Sequence, residues 1–259
     1  MYIAEIAPAN IRGSLCSTYE LMVTAGILLS NVINTILSKT LPLNENFVWR
    51  LAFFIQIIPA ILLIFICSII PYSPRWLAEK GRHEEGQAVI AKLRGKDVND
   101  KEIIEEYSEI QRGVEFQNRV GEATLGELLR PGIRRRLAIG IINQTFQQLT
   151  GINVIIYYFS RILESLGIHD TYGYYLTSIT FVKLLATLSG MWAIERFGRK
   201  PLLMWGGLFM GVCHILAYIF LSGSESGIKA FDWIEISCFY IFMIIFAMSW
   251  GPVRLIYFL

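Results

Sequence analysis

Charge is the scarcest commodity in this 259-residue chain. Only 17% of its residues are Asp, Glu, Lys or Arg, where a soluble domain carries about 25%. The net charge of +2 excludes a polycation built for nucleic acid, and no RRM, helix-turn-helix or zinc-finger spacing occurs. Histidine is limited to His83, His169 and His214, none in an HExxH arrangement. The four cysteines, Cys16, Cys67, Cys213 and Cys238, lie far apart in or beside apolar runs and read as small hydrophobes instead of a disulfide or metal set. No Walker loop or GxGxxG after a strand is present, so no cofactor is expected. The opening "MYIAEIAPANIRG" lacks the basic and apolar regions of a signal peptide.

What the chain has instead is apolar length. Hydrophobic residues make up 54% of it and the mean hydropathy is +0.49. A hydrocarbon core of ~30 Å needs about 20 apolar residues in helix. Six stretches meet that need, near 14–38, 48–70, 137–160, 172–194, 201–222 and 233–257. Glycines such as Gly26, Gly140, Gly190, Gly206, Gly207 and Gly211 punctuate them and suit close helix approach. Basic residues concentrate in 71–136 and in "ERFGRK", and Arg12 precedes the first span, whereas the alternate loops are poor in Lys and Arg. The positive-inside rule places the basic loops in the cytoplasm, and six spans read through without contradiction. Within the insert, Val89, Ile90, Leu93 and Ile103, Ile104, Tyr107, Ile110 fall at helical spacing, which predicts short amphipathic helices capping the membrane part.

One stretch does not fit a simple span. "NQTFQQLTGIN", residues 143–153, places Asn143, Gln144, Gln147, Gln148 and Asn153 inside the third apolar run. Each amide is costly to bury without a hydrogen-bond partner. The Asn143 sequon falls within the span and is not read as a glycosylation site. On an ideal helix Gln147, Gly151, Val154 and Tyr158 share one face, and Gln148 and Asn153 do not. Gly151 is where the helix can loosen and re-aim its neighbours, as in the broken helices that build transporter sites. Amides both donate and accept, which suits hydroxyls, and with Tyr157 and Tyr158 nearby they predict a polyol-binding site over simple interhelical glue. Glu20 and Lys183 are charges within spans, each costing ~2.5–3.5 kcal/mol to insert, and their opposite signs suggest a pair. Snorkelling of Glu20 and hydration of Lys183 are the competing explanations.

These residues carry a family resemblance. "QQLTGINVIIYY" resembles the seventh-helix signature of the sugar porter family of the major facilitator superfamily. "YIAEIAPANIRG", "PYSPRWLAEKGR", "LGELLRP", "ERFGRKPLL" and "SWGPV" resemble further motifs of that family, in the same order. The resemblance implies an all-α integral membrane protein, here a partial bundle of six transmembrane helices with a cytoplasmic helical insert. It implies that 1–70 holds the end of helix four and helices five and six, 71–136 the cytoplasmic linker, and 137–259 helices seven to ten, the chain reading as a fragment. By position, Gln147, Gln148, Asn153, Tyr157 and Tyr158 would contact sugar, joined by Glu20 and Lys183 where the family mostly has amides. Glu5, Arg12, Arg75, Glu195, Arg196, Arg199 and Lys200 would form a cytoplasmic charge latch biasing a two-state equilibrium.

The sequence also departs from the pattern. Tyr72 replaces a latch glutamate, and Arg254 and Leu255 break the tenth-helix motif. The expected function is alternating-access transport of a monosaccharide in the plasma membrane, with a proton as a further partner, lipid as surroundings and no nucleic acid. A sugar acid or quinate read by Glu20 and Lys183 is the alternative substrate. A non-transporting sensor and a non-functional fragment are the alternative roles, and a membrane enzyme lacks the necessary acid–base cluster.

Overall fold

The computed structural model describes residues 2–8, 12–40, 45–121, 126, 130–168, 173–224 and 229–251. Among these the regular elements are helices: α1 (Tyr2–Ile6), α2 (Arg12–Thr40), α3 (Glu45–Ile55), α4 (Ile57–Ile69), α5 (Pro74–Glu79), α6 (His83–Arg94), α7 (Lys101–Val120), α8 (Pro131–Leu149), α9 (Ile152–Ser165), α10 (Tyr174–Phe197), α11 (Arg199–Ser224) and α12 (Lys229–Met248). Five stretches are long and apolar enough to cross a membrane: Thr18–Thr40, Phe47–Ile69, Tyr174–Ile194, Arg199–Phe220 and Ala230–Met248. Each coincides within a few residues with an expected span, except that the last stops at Met248. The break between α3 and α4 at Gln56 has a local cause. Pro59 has no N–H to offer the Ile55 carbonyl, and Gln56 N–H turns back to Phe53 O at 3.1 Å.

The remaining expected span, the third, over 137–160, is not one continuous apolar helix. It is α8 and α9, divided at Gly151, whose φ of 81° lies in the left-handed region. A glycine adopts that conformation without the clash a Cβ would bring. The carbonyls released at the end of α8 are taken up locally. Thr150 Oγ1 donates to Gln147 O at 2.7 Å, and Gly151 N–H reaches Gln148 O at 3.4 Å. His214 on α11, through Nε2, donates to Thr150 O at 2.9 Å.

The chain divides into two compact units. The first comprises Met1–Leu15 with Ile57–Ile139. In it α4 is apolar but for Ser68, whose hydroxyl donates to the Phe65 carbonyl, and it buries no residue, as expected of a lipid-facing helix. Ser73 caps α5 by accepting from Trp76 N–H, followed by Pro74 at the first helical position. The insert folds as α5, α6 and α7 around Ala78, Ile90, Ala91, Ile103, Tyr107 and Val114. Full burial of each isoleucine stabilises by roughly 1.5–3 kcal/mol. Of the expected inward positions, Leu93 and Ile104 are exposed instead, because the three-helix contact is narrower than the apolar stripe. Arg94 holds Glu106 at 2.6 Å and Lys96 pairs with Glu102.

The second unit comprises Cys16–Gln56 with Gly140–Leu259. Its core joins Ile152, Ile155, Phe159 and Leu163 of α9 to Met210, Ile236, Phe242, Met243 and Phe246. The four α9 residues repeat at three and four positions, so they fall on one stripe. A polar seam joins α2 and α10: Asn31 Nδ2 lies 2.9 Å from Thr180 Oγ1, and the hydroxyls of Thr35 and Thr177 lie 2.9 Å apart. Backbones of α10 and α12 meet at Gly190, where a Cβ would sit 2.8 Å from Ala247 O and Met248 Cα. Gly26 and Gly211, expected to serve the same purpose, face open space.

Two outcomes follow for stability in detergent. Gly190→Ala has to displace backbone, and we expect a loss of about 1–3 kcal/mol by thermal unfolding, with Gly26→Ala as a neutral control. Gly151→Ala is expected to cost about 1–2 kcal/mol through its left-handed backbone, and Gly151→Asn less, since asparagine tolerates that region.

Candidate functional site

A cavity of about 460 Å³ opens within the second unit, a size that suits a small ligand. Its walls follow from the helices just described. The break at Gly151 ends α8 with Gln147 and Gln148 and starts α9 with Ile152 and Asn153, and all four line the cavity. On an unbroken helix Asn153 would have pointed away from Gln147. The left-handed residue resets the phase, and Asn153 Nδ2 comes within 2.6 Å of Gln148 Oε1. Gln147 is only 6% exposed. Asn143 and Gln144, earlier on α8, are not among the lining residues.

The two intramembrane charges arrive at the same place. Glu20 from α2 and Lys183 from α10 both line the cavity, at 6% and 5% exposure. Glu20 is therefore held in the wall instead of reaching the aqueous edge. Lys183 Nζ lies 5.9 Å from the Phe246 ring centroid, within the reach of a cation–π attraction. The backbone carbonyls of both residues accept from threonines one turn on: Thr24 Oγ1 donates to Glu20 O, and Thr187 Oγ1 to Lys183 O, each at 2.9 Å. Those threonines are fully buried, so the lining charges stand on helix faces that are otherwise closed.

Of the seven residues expected to contact a ligand, six line the cavity: Glu20, Gln147, Gln148, Asn153, Tyr157 and Lys183. Tyr158 does not. Its half-exposed ring lies under the Arg161 guanidinium, 5.9 Å from centroid to Cζ. The α9 core stripe explains the choice, because Ile155 and Phe159 turn inward and leave Tyr157, not Tyr158, on the cavity side.

Several residues escaped the sequence reading. Ser30 and Asn31 line the cavity from α2. A signal was present: Glu20, Thr24, Asn31 and Thr35 sit on one stripe of α2, spaced by four, seven and four. His214 was read as a lone histidine, yet it holds the broken end of α8, with its ring tilted at 48° to that of Phe242, 4.7 Å between centroids. No sequence spacing connects it to Thr150.

The expected latch residues fall in different places. In the first unit, Glu5 accepts from Ser73 Oγ at 2.5 Å, and Arg75 donates to Gln117 Oε1 at 2.6 Å and approaches Glu79 at 3.9 Å. Arg94 also donates to the Ile6 carbonyl at 3.3 Å, which ties α6 to the end of α1. In the second unit, Arg196 lies 5.1 Å from the Trp192 ring, and Arg199 and Lys200 are exposed at the start of α11. Arg12 and Glu195 belong to α2 and α10, but their side chains lie outside the described residues, as do Arg254 and Leu255.

Comparison with known proteins agrees with this geometry. The model of the family described as "Sugar (and other) transporter" matches residues 1–258. The high-affinity hexose transporter HXT6 of Saccharomyces cerevisiae is 33% identical over 98% of this chain and 45% of its own length. The major myo-inositol transporter IolT of Bacillus subtilis is 36% identical over 87% of this chain and 47% of its own. Among solved structures, the proton:xylose symporter XylE bound to 6-bromo-6-deoxy-D-glucose superposes with a TM-score of 0.81 at 28% identity, covering 98% of this chain and 51% of that one. The chain thus spans about half the length of the relatives it matches. It is a multi-pass integral membrane protein of the major facilitator fold, and it belongs to the sugar transporter family.

Proposed function

We propose that this chain supplies the substrate cavity of a carrier that moves a monosaccharide across the plasma membrane by alternating access. The observation that carries the reading is the gathering of Gln147, Gln148, Asn153 and Asn31 around one cavity of about 460 Å³. Amides bind hydroxyls in either sense and hold no fixed charge, so they can grip a neutral polyol and release it. Tyr157 and Phe246 add aromatic surface for the apolar face of a sugar ring. The relatives support the same substrate class, being named for hexose, inositol and xylose. Coupling to a proton belongs to the proposal through the likeness to a proton:xylose symporter. The charge latch belongs to it as well: Glu5, Arg12, Arg75, Glu195, Arg196, Arg199 and Lys200 would bias the two access states by their pairing at the cytoplasmic side.

The test is uptake of labelled glucose and quinate at pH 5 and pH 7 in a host lacking its own carriers. Gln147→Ala is expected to weaken glucose uptake roughly tenfold or more by removing a buried donor–acceptor pair. Lys183→Asn, which restores an amide, is expected to keep glucose uptake. Quinate uptake that depends on Lys183, without glucose uptake, would overturn the monosaccharide reading. Uptake of glucose that is faster at pH 5 is the expected sign of proton coupling.

A further inference from the structure

The amides of the cavity differ in how firmly their two ends are fixed. Gln148 and Asn153 face each other, 2.6 Å from Oε1 to Nδ2, and either amide could turn over if its partner did the same. Asn31 has no such freedom. Its Nδ2 lies 2.9 Å from Thr180 Oγ1, and Thr180 Oγ1 lies 2.7 Å from the Leu176 carbonyl. Two oxygens at that separation need a proton between them, and a carbonyl has none. The only hydroxyl proton of Thr180 is therefore committed to Leu176 O, and toward Asn31 its oxygen can only accept. Thr180 is 3% exposed, so water does not compete for it. The NH₂ of Asn31 must be the group that faces Thr180.

This fixes the other end. Asn31 is half-buried and lines the cavity, and among the described residues its side chain makes no hydrogen bond besides the one to Thr180. Its Oδ1 is left as a pure acceptor. Glu20 stands eleven residues earlier on the same helix, about 16 Å along the axis, so Asn31 meets a different end of any ligand from the one Glu20 meets.

Resting on the monosaccharide reading, we infer that Thr180 is a positioning residue for substrate selection. It locks the Asn31 amide so that Oδ1 accepts a hydrogen bond from one sugar hydroxyl, which the carrier reads as a donor and not as an acceptor. A fluorine in place of that hydroxyl keeps a weak acceptor and loses the donor, so it should fare no better there than a hydrogen.

The experiment is competition against labelled D-glucose binding to the full chain, using the monodeoxy and monodeoxyfluoro analogues of glucose at each ring position. In the wild type, one position is expected where both analogues bind about tenfold more weakly than glucose. Asn31→Ala should remove that penalty by lowering glucose to the level of the analogues. Thr180→Val frees the amide to turn its NH₂ inward, and the fluoro analogue should recover to within about threefold of glucose. Thr180→Ser keeps an acceptor and should retain the wild-type pattern, which a merely space-filling role for Thr180 would not require. The inference is overturned if no position penalises fluorine together with hydrogen, if the penalty survives Asn31→Ala, or if Thr180→Val leaves the pattern unchanged. Should glucose, xylose and myo-inositol all fail to bind the wild type, the monosaccharide reading falls and this inference with it. Binding without the pattern overturns this inference alone.

Discussion

A helix that stops inside a hydrocarbon layer leaves carbonyls that water cannot reach, and each must find a donor within the protein. The end of α8 meets that constraint with three different groups: the Thr150 hydroxyl, the Gly151 N–H and the His214 ring. The cavity depends on this repair. Without a stable break at Gly151 the amides of α8 and α9 would point to different sides of one continuous helix. With it, Gln147, Gln148 and Asn153 converge on one cavity: Gln147 is buried in its wall, and the more exposed Gln148 and Asn153 bond to each other. His214 acts through the backbone: it is remote from the ligand's reach in sequence, and its contribution is the geometry of the residues that line the wall.

The same reasoning separates the two kinds of polar group along α2. Thr35 is spent on α10, where its hydroxyl meets that of Thr177 and also reaches the Gly173 carbonyl at 3.4 Å. Its bonds are closed within the protein, and it works as a fastener between helices, of the sort worth ~0.6 kcal/mol each in membranes. Asn31, one turn deeper, is only half spent. One edge fastens α2 to α10 and the other remains available, so a single side chain belongs both to the helix interface and to the site. That double duty couples the packing of two helices to what fills the cavity, because a change in either displaces the amide from the other.

Fold and spans were legible because membrane burial acts on whole segments. Twenty apolar residues in a row leave few alternatives, and the basic loops orient them. Even the break at Gly151 could be read, since a glycine amid five amides has little use in a continuous span. Residue-level aim was less legible. An ideal 100° progression puts Tyr158 on the Gln147 face, but the break resets the count and the core stripe of α9 claims the neighbours of Tyr158, so Tyr157 lines the cavity instead. Asn31 was within reach of a stripe argument along α2. His214 was not, because its partner is a backbone carbonyl 64 positions away, and a carbonyl leaves no mark in the sequence. In the insert, the helical periodicity of Leu93 and Ile104 overstated the core, since three short helices bury a narrower strip than the apolar residues occupy.

The buried charges complete the physical picture of the cavity. Insertion of a single charge into a bilayer centre costs ~2.5–3.5 kcal/mol, and a family site built mainly of amides has no need to bear that cost twice. Glu20 and Lys183 nonetheless face the same space from two helices that the Asn31–Thr180 and Thr35–Thr177 contacts hold side by side. Opposite charges in one small cavity relieve each other's desolvation only while the helices keep their spacing. A motion that parts α2 from α10 would open the hydroxyl–amide seam, so the seam favours the arrangement in which both charges face one cavity. A ligand bridging Asn31 and the α8–α9 amides adds to that preference from inside the cavity. On the proposed reading, ligand binding and helix approach would be linked through the same few side chains, as a cavity that closes around its ligand requires.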